Sequence, residues 1–230
     1  QRRVWAIAPF HNESGTSFAN GIIMSDHFAQ HLTNASNLHV LPVNRTLKAM
    51  ELLQMAEVGS HADARQLMTE LGADALIIGT ISAYDPWDPP KLGLAIQLYD
   101  SGQGLVTDPI NIRHLTRAAT SNQTNPVHKV HGQAPIHLPL REQGIASSVS
   151  AYFDAADFDV QKQLKKYAGN RSNDGMLGPQ DNWHRYRISM DLYSEFVTYV
   201  MSWQLLREEA RRLSPPPTTN TTTTPQASSR

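Results

Sequence analysis

Residues 71–83 constrain the fold of this chain more than any other stretch. Leu71 ends a helical pattern, and Gly72 can adopt the left-handed backbone conformation that terminates a helix. Residues 75–78 are all apolar, which is typical of a strand that is covered on both faces. Because a helix leads directly into this run, the sequence predicts a central strand of an α/β sheet that passes through Ile77.

The residues before this stretch predict the element order β-α-β-α-α. Two short strands are predicted over residues 3–10 and 38–43, with a helix between them that Ser17 caps. A short helix near residues 46–55 follows, and Ser60 with Asp63 resembles a capping box for a helix over residues 62–71. The apolar stripe predicted for the first helix consists of Phe18, Ile22, Phe28, Ala29 and Leu32.

The residues after the central strand predict an antiparallel addition to the sheet. Residues 92–99 alternate between apolar and polar positions, and residues 147–154 are predicted to return as another strand. An edge piece at 105–112 and a polar, proline-containing excursion over 117–144 separate them. The predicted organisation is an α/β domain over 1–155 with an irregular insertion at 113–145, a helical extension over 156–213 packed on it, and a disordered Thr/Pro-rich tail over 214–230.

A long helix over residues 183–213 carries two apolar rows, and the extension also contains a shorter helix over 157–168. The second row consists of Ile188, Leu192, Phe196, Tyr199, Trp203 and Leu206. One apolar row is enough to pack a helix against its own domain, so residues from elsewhere must cover the second row. We expect either the insertion or the helix that contains Val160 to cover it, or else a second subunit. The residues predicted to contact a partner are Trp87, Trp183, Tyr186, Tyr199 and Trp203.

Composition and motifs argue against several classes of function. The formal net charge is −1, which gives no general electrostatic case for binding nucleic acid or an anionic membrane. The chain has no cysteine, and it lacks a phosphate-binding glycine loop, a nucleophile elbow and a zinc-protease helix. We therefore predict a protein that is not an enzyme and binds no cofactor or metal.

Three groups of polar residues are candidate sites. The first, in a proline-containing loop, is His128, His131 and His137, which lack the further ligands that a metal site needs. His27 and His31, one helical turn apart beside Asp26, are expected on the solvent side of the first helix. Asp85 and Asp88 flank Trp87 at the end of the buried strand, where α/β folds often bind ligands.

Three stretches of the sequence resemble a family of bacterial envelope proteins. Residues 4–15 (VWAIAPFHNESG) are similar to the family's V-x-P-F-x-N-x-S-G opening, and residues 38–45 resemble its F-x-V-V-x-R strand. Residues 64–80 resemble its A-x-x-L-G-A-D-x-x-V-x-G-T segment. The family includes the amino-terminal domain of TolB, the periplasmic domain of the curli-secretion lipoprotein CsgG and the penicillin-binding-protein activator LpoB, and the resemblance covers residues 3–112.

The resemblance implies a mixed sheet flanked by helices, of the kind found in anticodon-binding domains and in the TolB amino-terminal domain. It also implies a non-enzymatic, periplasm-facing lipoprotein domain that acts as an adaptor or assembly component through other envelope proteins. Since the chain starts at Gln1, a signal peptide and a lipid anchor for the outer membrane are expected upstream. Two alternatives stay open, namely a small-ligand or metal-binding envelope protein and a self-assembling ring or filament subunit.

Overall fold

The computed structural model describes residues 2–35, 38–101, 145–171 and 182–213. Within these ranges the chain forms six strands and six helices. In chain order they are β1 (Arg3–Ile7), β2 (His11–Asn12), α1 (Gly21–Thr33), β3 (Leu38–Val40), α2 (Val43–Leu52), α3 (His61–Leu71), β4 (Ala75–Asp85), β5 (Lys91–Asp100), β6 (Ile145–Asp154), α4 (Phe158–Arg171), α5 (Asn182–Ile188) and α6 (Met190–Leu213).

The strands form one mixed sheet in the order β3-β1-β4-β5-β6, with the short β2 also paired to β4. Strands β3, β1 and β4 run parallel, whereas β5 and β6 join in antiparallel register. Ile77 of β4 lies between Ile7 of β1 and Leu98 of β5 and is completely buried. The predicted α/β class, with a central strand through Ile77, is therefore confirmed.

Local signals set the ends of α3 as the sequence predicts. The Ser60 hydroxyl accepts a hydrogen bond from the Asp63 N–H at 3.1 Å, and Gly72 ends the helix with φ +61°. Glycine adopts this left-handed conformation without the steric cost that a Cβ atom adds. The Asp63 carboxylate accepts a bond from the Gly59 N–H instead of the Ser60 N–H, so the capping box is shifted by one residue.

Two apolar clusters lie on opposite faces of the sheet. The larger cluster joins the sheet to α1, α4, α5 and α6, with Phe28, Phe153, Tyr193 and Phe196 among its buried side chains. The smaller cluster joins the other face to α2 and α3 through residues such as Leu67 and Leu76. Helices thus cover both faces of β4, which explains why its first four residues are all apolar.

The predicted start of the first helix was wrong. Asn20, not Ser17, caps α1, because its side-chain oxygen accepts hydrogen bonds from the Ile22 and Ile23 N–H groups. Phe18 therefore precedes the helix and is 71% exposed, and Ile22 is also exposed. The buried face of α1 is built from Met24, Ser25, Phe28, Ala29 and Leu32.

The predicted long helix over residues 183–213 is two helices, α5 and α6, that meet at Ser189. The Ser189 N–H still donates to the Arg185 carbonyl, while the Ser189 carbonyl accepts the first bond of the next helix from the Tyr193 N–H. The break keeps both Tyr186 and Met190 in the core. The predicted edge piece at 105–112, the excursion over 117–144 and the tail over 214–230 lie outside the described residues.

Candidate interaction surfaces

The described residues form no cluster of three His, Cys, Asp or Glu side chains able to hold a metal ion. The histidines considered as a metal site, His128, His131 and His137, lie outside the described ranges. None of the helices in these ranges combines the length and the apolar character needed to cross a lipid bilayer.

The first feature is the tip of the β4–β5 hairpin. Here the Asp85 carboxylate accepts a hydrogen bond from the Trp87 N–H at 3.2 Å, which shapes the turn that carries the tryptophan. The indole is 76% exposed. Asp88 lies 3.5 Å from Arg187 of α5, so the predicted carboxylate pair serves to hold the turn and to fix it against a neighbouring helix.

Two more exposed apolar side chains lie on segments attached to this tip. Ile188 follows Arg187 and is 67% exposed, while Phe158 begins α4 and is 78% exposed. The segment before Phe158 is fixed to the hairpin because the Ala155 N–H donates to the Pro90 carbonyl at 3.0 Å. We call Trp87, Phe158 and Ile188 the tip surface. Contacts join the three segments that carry these exposed apolar side chains, which makes this end of the sheet a candidate interface.

The aromatic residues predicted as contacts on α5 and α6 divide into two environments. Tyr186 is buried, with its ring 5.5 Å from that of Tyr167, and Trp183 lies under the Lys165 ammonium at 4.4 Å. Tyr199 is half-buried against Tyr167, whereas Trp203 is 59% exposed. Of the covers expected for the second row, the helix with Val160 provides part, because Tyr167 of α4 contacts Phe196 and Tyr199.

Phe196, Tyr199 and Trp203 of the second row border a groove of about 430 Å³ between α4 and α6. Phe196, Tyr199, Val200 and Trp203 line it from α6, and Tyr167 lines it from α4. We call this feature the α4–α6 groove. Its volume lies within the range typical of sites that accept a ligand or an anchoring side chain.

The prediction that His27 and His31 face solvent was wrong. The second face of α1 packs on α6, where His31 Nε2 lies 2.9 Å from the Glu195 carbonyl oxygen and the ring meets Tyr199 edge-on. Burial lowers the pKa of His31 to about 4. The ring is therefore neutral near pH 7, and since a carbonyl only accepts, Nε2 carries the proton. His27 Nε2 lies 3.9 Å from the Asp191 carboxylate.

A charged cluster joins the end of α6 to the start of the sheet. The Glu209 carboxylate is buried and accepts hydrogen bonds from Arg3, Arg212 and the Ser147 hydroxyl at 2.7–3.1 Å. Asp100 also pairs with both arginines. Burial raises the pKa of Glu209, but the bonds from Arg212 and Ser147 outweigh it and leave the pKa below its usual value.

No protein-family model and no curated protein sequence matches the chain. Among solved structures it is similar to the LpoB C-terminal domain from Salmonella enterica, with 14% identity over 47% of this chain and 82% of that one and a TM-score of 0.37. Lipoprotein GNA1162 from Neisseria meningitidis shares 18% identity over 53% and 96%, with a TM-score of 0.36. The hypothetical protein CT253 from Chlamydia trachomatis shares 12% identity over 92% and 95%, with a TM-score of 0.39.

Proposed function

We propose that this chain is a non-enzymatic domain of the bacterial cell envelope that works by binding other envelope proteins, as an adaptor or assembly component. In this proposal a lipid anchor upstream of Gln1 holds it on the periplasmic side of the outer membrane. The tip surface is the observation that carries the binding role. Its three apolar side chains lie on one hairpin and two helices that contacts hold together, so the surface is preorganised for a partner.

The resemblance in sequence supports the envelope setting. Its three stretches contain most of β1 with β2, β3 with the first turn of α2, and most of α3 with the first half of β4. Since β3, β1 and β4 are adjacent in the sheet, the resembling residues form one continuous substructure instead of three scattered matches. This is what a shared domain requires, and the tip surface projects from the far end of its central strand.

The location can be tested by expressing the full-length gene in its native host. We expect the protein to incorporate labelled palmitate and to sediment with the outer membrane. Recovery of unlabelled protein from the cytoplasm would overturn the envelope assignment.

The binding role can be tested in the same cells with a photo-crosslinking amino acid at Trp87. Its control is the same substitution at Leu52, which is 66% exposed on α2, in the opposite layer. We expect position 87 to form discrete adducts that mass spectrometry identifies as envelope proteins, and position 52 to form none. Equal adduct patterns at both positions would contradict the proposal, and adducts only between copies of this chain would establish the self-assembly alternative.

A further inference from the structure

The α4–α6 groove has an apolar floor that runs along α6. On this helix the lining includes Phe196, Val200, Trp203 and Arg207, which are spaced by three or four positions, and Tyr199 beside Val200. At 1.5 Å per residue this stretch is about 17 Å long, or roughly three helical turns. Side chains spaced in this way on a helix form the ridges and grooves against which another helix can pack.

The charged residues that line the groove are both basic. Lys166 on α4 and Arg207 on α6 are exposed, and neither forms an ion pair with any residue in the described ranges. The neighbouring carboxylates on α6 already have partners, since Glu208 pairs with Arg211 at 2.7 Å and Glu195 with Arg171 at 3.2 Å. The rim of the groove therefore presents positive charge to an incoming chain.

Two polar atoms in the lining lack hydrogen-bond partners within the described part of the chain. They are the Tyr167 hydroxyl oxygen and Gln204 Oε1, and both are shielded from solvent. Buried polar atoms are normally paired, because an unmade bond costs free energy. A polar side chain seated in the groove would give one or both of them a partner after a small rotation.

We propose that the α4–α6 groove binds an amphipathic helical segment of a partner protein whose apolar face is flanked by Asp and Glu. The apolar face would cover Trp203 and Val200, and the acidic side chains would pair with Lys166 and Arg207. This proposal rests on the proposed function, because it assumes a domain that works by binding proteins. It adds the chemistry of one partner and a surface separate from the tip.

The test uses the full chain and two labelled helical peptides of about 14 residues, long enough to span the groove. Both carry the same apolar face, but one is flanked by Glu and the other by Lys. By fluorescence anisotropy we expect the Glu peptide to bind at least about tenfold more tightly than the Lys peptide, and to weaken as salt is added.

The double variant K166E/R207E should reverse this preference and bind the Lys peptide. Its matched control is R45E/R65E, which changes the charge equally at two exposed positions on α2 and α3, in the opposite layer. The control should behave like the wild type. In a second variant, Trp203→Ala should weaken the Glu peptide by roughly tenfold, as expected for a truncated anchor residue.

Three results would overturn the proposal. They are binding of neither peptide, equal binding of both, and unchanged preference in K166E/R207E. Displacement of the Glu peptide by an uncharged alkyl maltoside at comparable concentration would also overturn it, because the groove would then be a site for small amphiphiles. None of these results would change the crosslinking expected at Trp87, so the two proposals fail separately.

Discussion

The Glu209 carboxylate lies 3.1 Å from the Arg3 guanidinium, although 206 positions separate the two residues in sequence. This contact links the last turns of α6 to the first residue of β1. Since Arg212 and Ser147 bind the same carboxylate, the end of the helical extension is fixed to the sheet by charge as well as by apolar packing.

Replacing Glu209 with Gln should lower the free energy of unfolding by about 2 kcal/mol, because two arginines lose a buried counter-charge. Glu208→Gln is the matched control, since Glu208 only pairs with Arg211 one turn away on the same helix. That change should stay within about 0.5 kcal/mol of the wild type. Urea unfolding measures both, and equal effects would show that the cluster adds nothing to stability.

Acid should destabilise the protein through His31. Its pKa in the folded state is lowered to about 4, whereas the ordinary value is 6.5. Protonation thus favours the unfolded chain. The contribution of the neutral His31 ring to the free energy of unfolding is therefore fully present above pH 6.5 and is lost as the pH falls toward 4. Because solvent reaches part of the ring, we expect a loss of about 1–2 kcal/mol.

The variant His31→Gln can still donate a bond to the Glu195 carbonyl but does not titrate. Its free energy of unfolding, measured at several pH values between 4 and 7, should therefore fall less steeply than that of the wild type. Parallel curves would rule out His31 as a source of the acid sensitivity. Glu209 should add a further loss at lower pH, as its depressed pKa is passed.

Two glycines should respond in opposite directions to the same change. A Cβ atom at Gly21 would overlap the Phe10 carbonyl group, so Gly21→Ala forces the backbone apart and should cost about 3 kcal/mol. Gly169, inside α4, has no atom within 4 Å of that position. Gly169→Ala should therefore stabilise the helix by about 0.5–1 kcal/mol. Thermal unfolding of both variants is the measurement. A melting temperature of Gly21→Ala at or above that of the wild type would contradict the packing described around Gly21, and a lower one for Gly169→Ala would contradict the open space at that position.

Two buried tyrosines differ in whether their hydroxyl is bonded. Tyr99 donates to Gln97 Oε1 at 2.9 Å, whereas the Tyr193 hydroxyl has no hydrogen-bond partner among the described residues. We expect Tyr99→Phe to lower the free energy of unfolding by about 1 kcal/mol and Tyr193→Phe to leave it unchanged or raise it by up to about 1 kcal/mol. Chemical denaturation distinguishes them, and a larger loss at Tyr193 would mean that its hydroxyl is bonded.

Local sequence predicts the sheet well because its signals are short in range. The apolar run at 75–78, the glycine at 72 and the alternation over 92–99 each determine their own element. The starts of α1 and α6 are harder to predict from sequence, because several nearby residues can compete to cap a helix. Ser17 and Asn20 are both residue types that can cap a helix, and in the folded chain it is the Asn20 side chain that accepts the bonds at the start of α1.

The environment of His31 and the Glu209 cluster could not be predicted, for a different reason. From sequence, α1 shows only the buried face that contains Phe28, and His31 lies outside that face. In the structure α6 covers His31, and this helix lies more than 160 residues later in the chain. No local sequence pattern indicates that Glu209 and Arg3 form an ion pair. The partner contacts predicted from sequence stay predictions. Tyr186 is buried in the chain's own core and belongs to neither the tip surface nor the α4–α6 groove.

Arg3 and Arg212 both bind the same oxygen of Asp100, at 2.8 and 3.0 Å. The first and last elements of the domain thus meet at one corner, while Trp87 lies beyond the opposite end of β4, about 33 Å away along an eleven-residue strand. A protein bound at this corner of the sheet would therefore lie at the opposite end of β4 from Trp87.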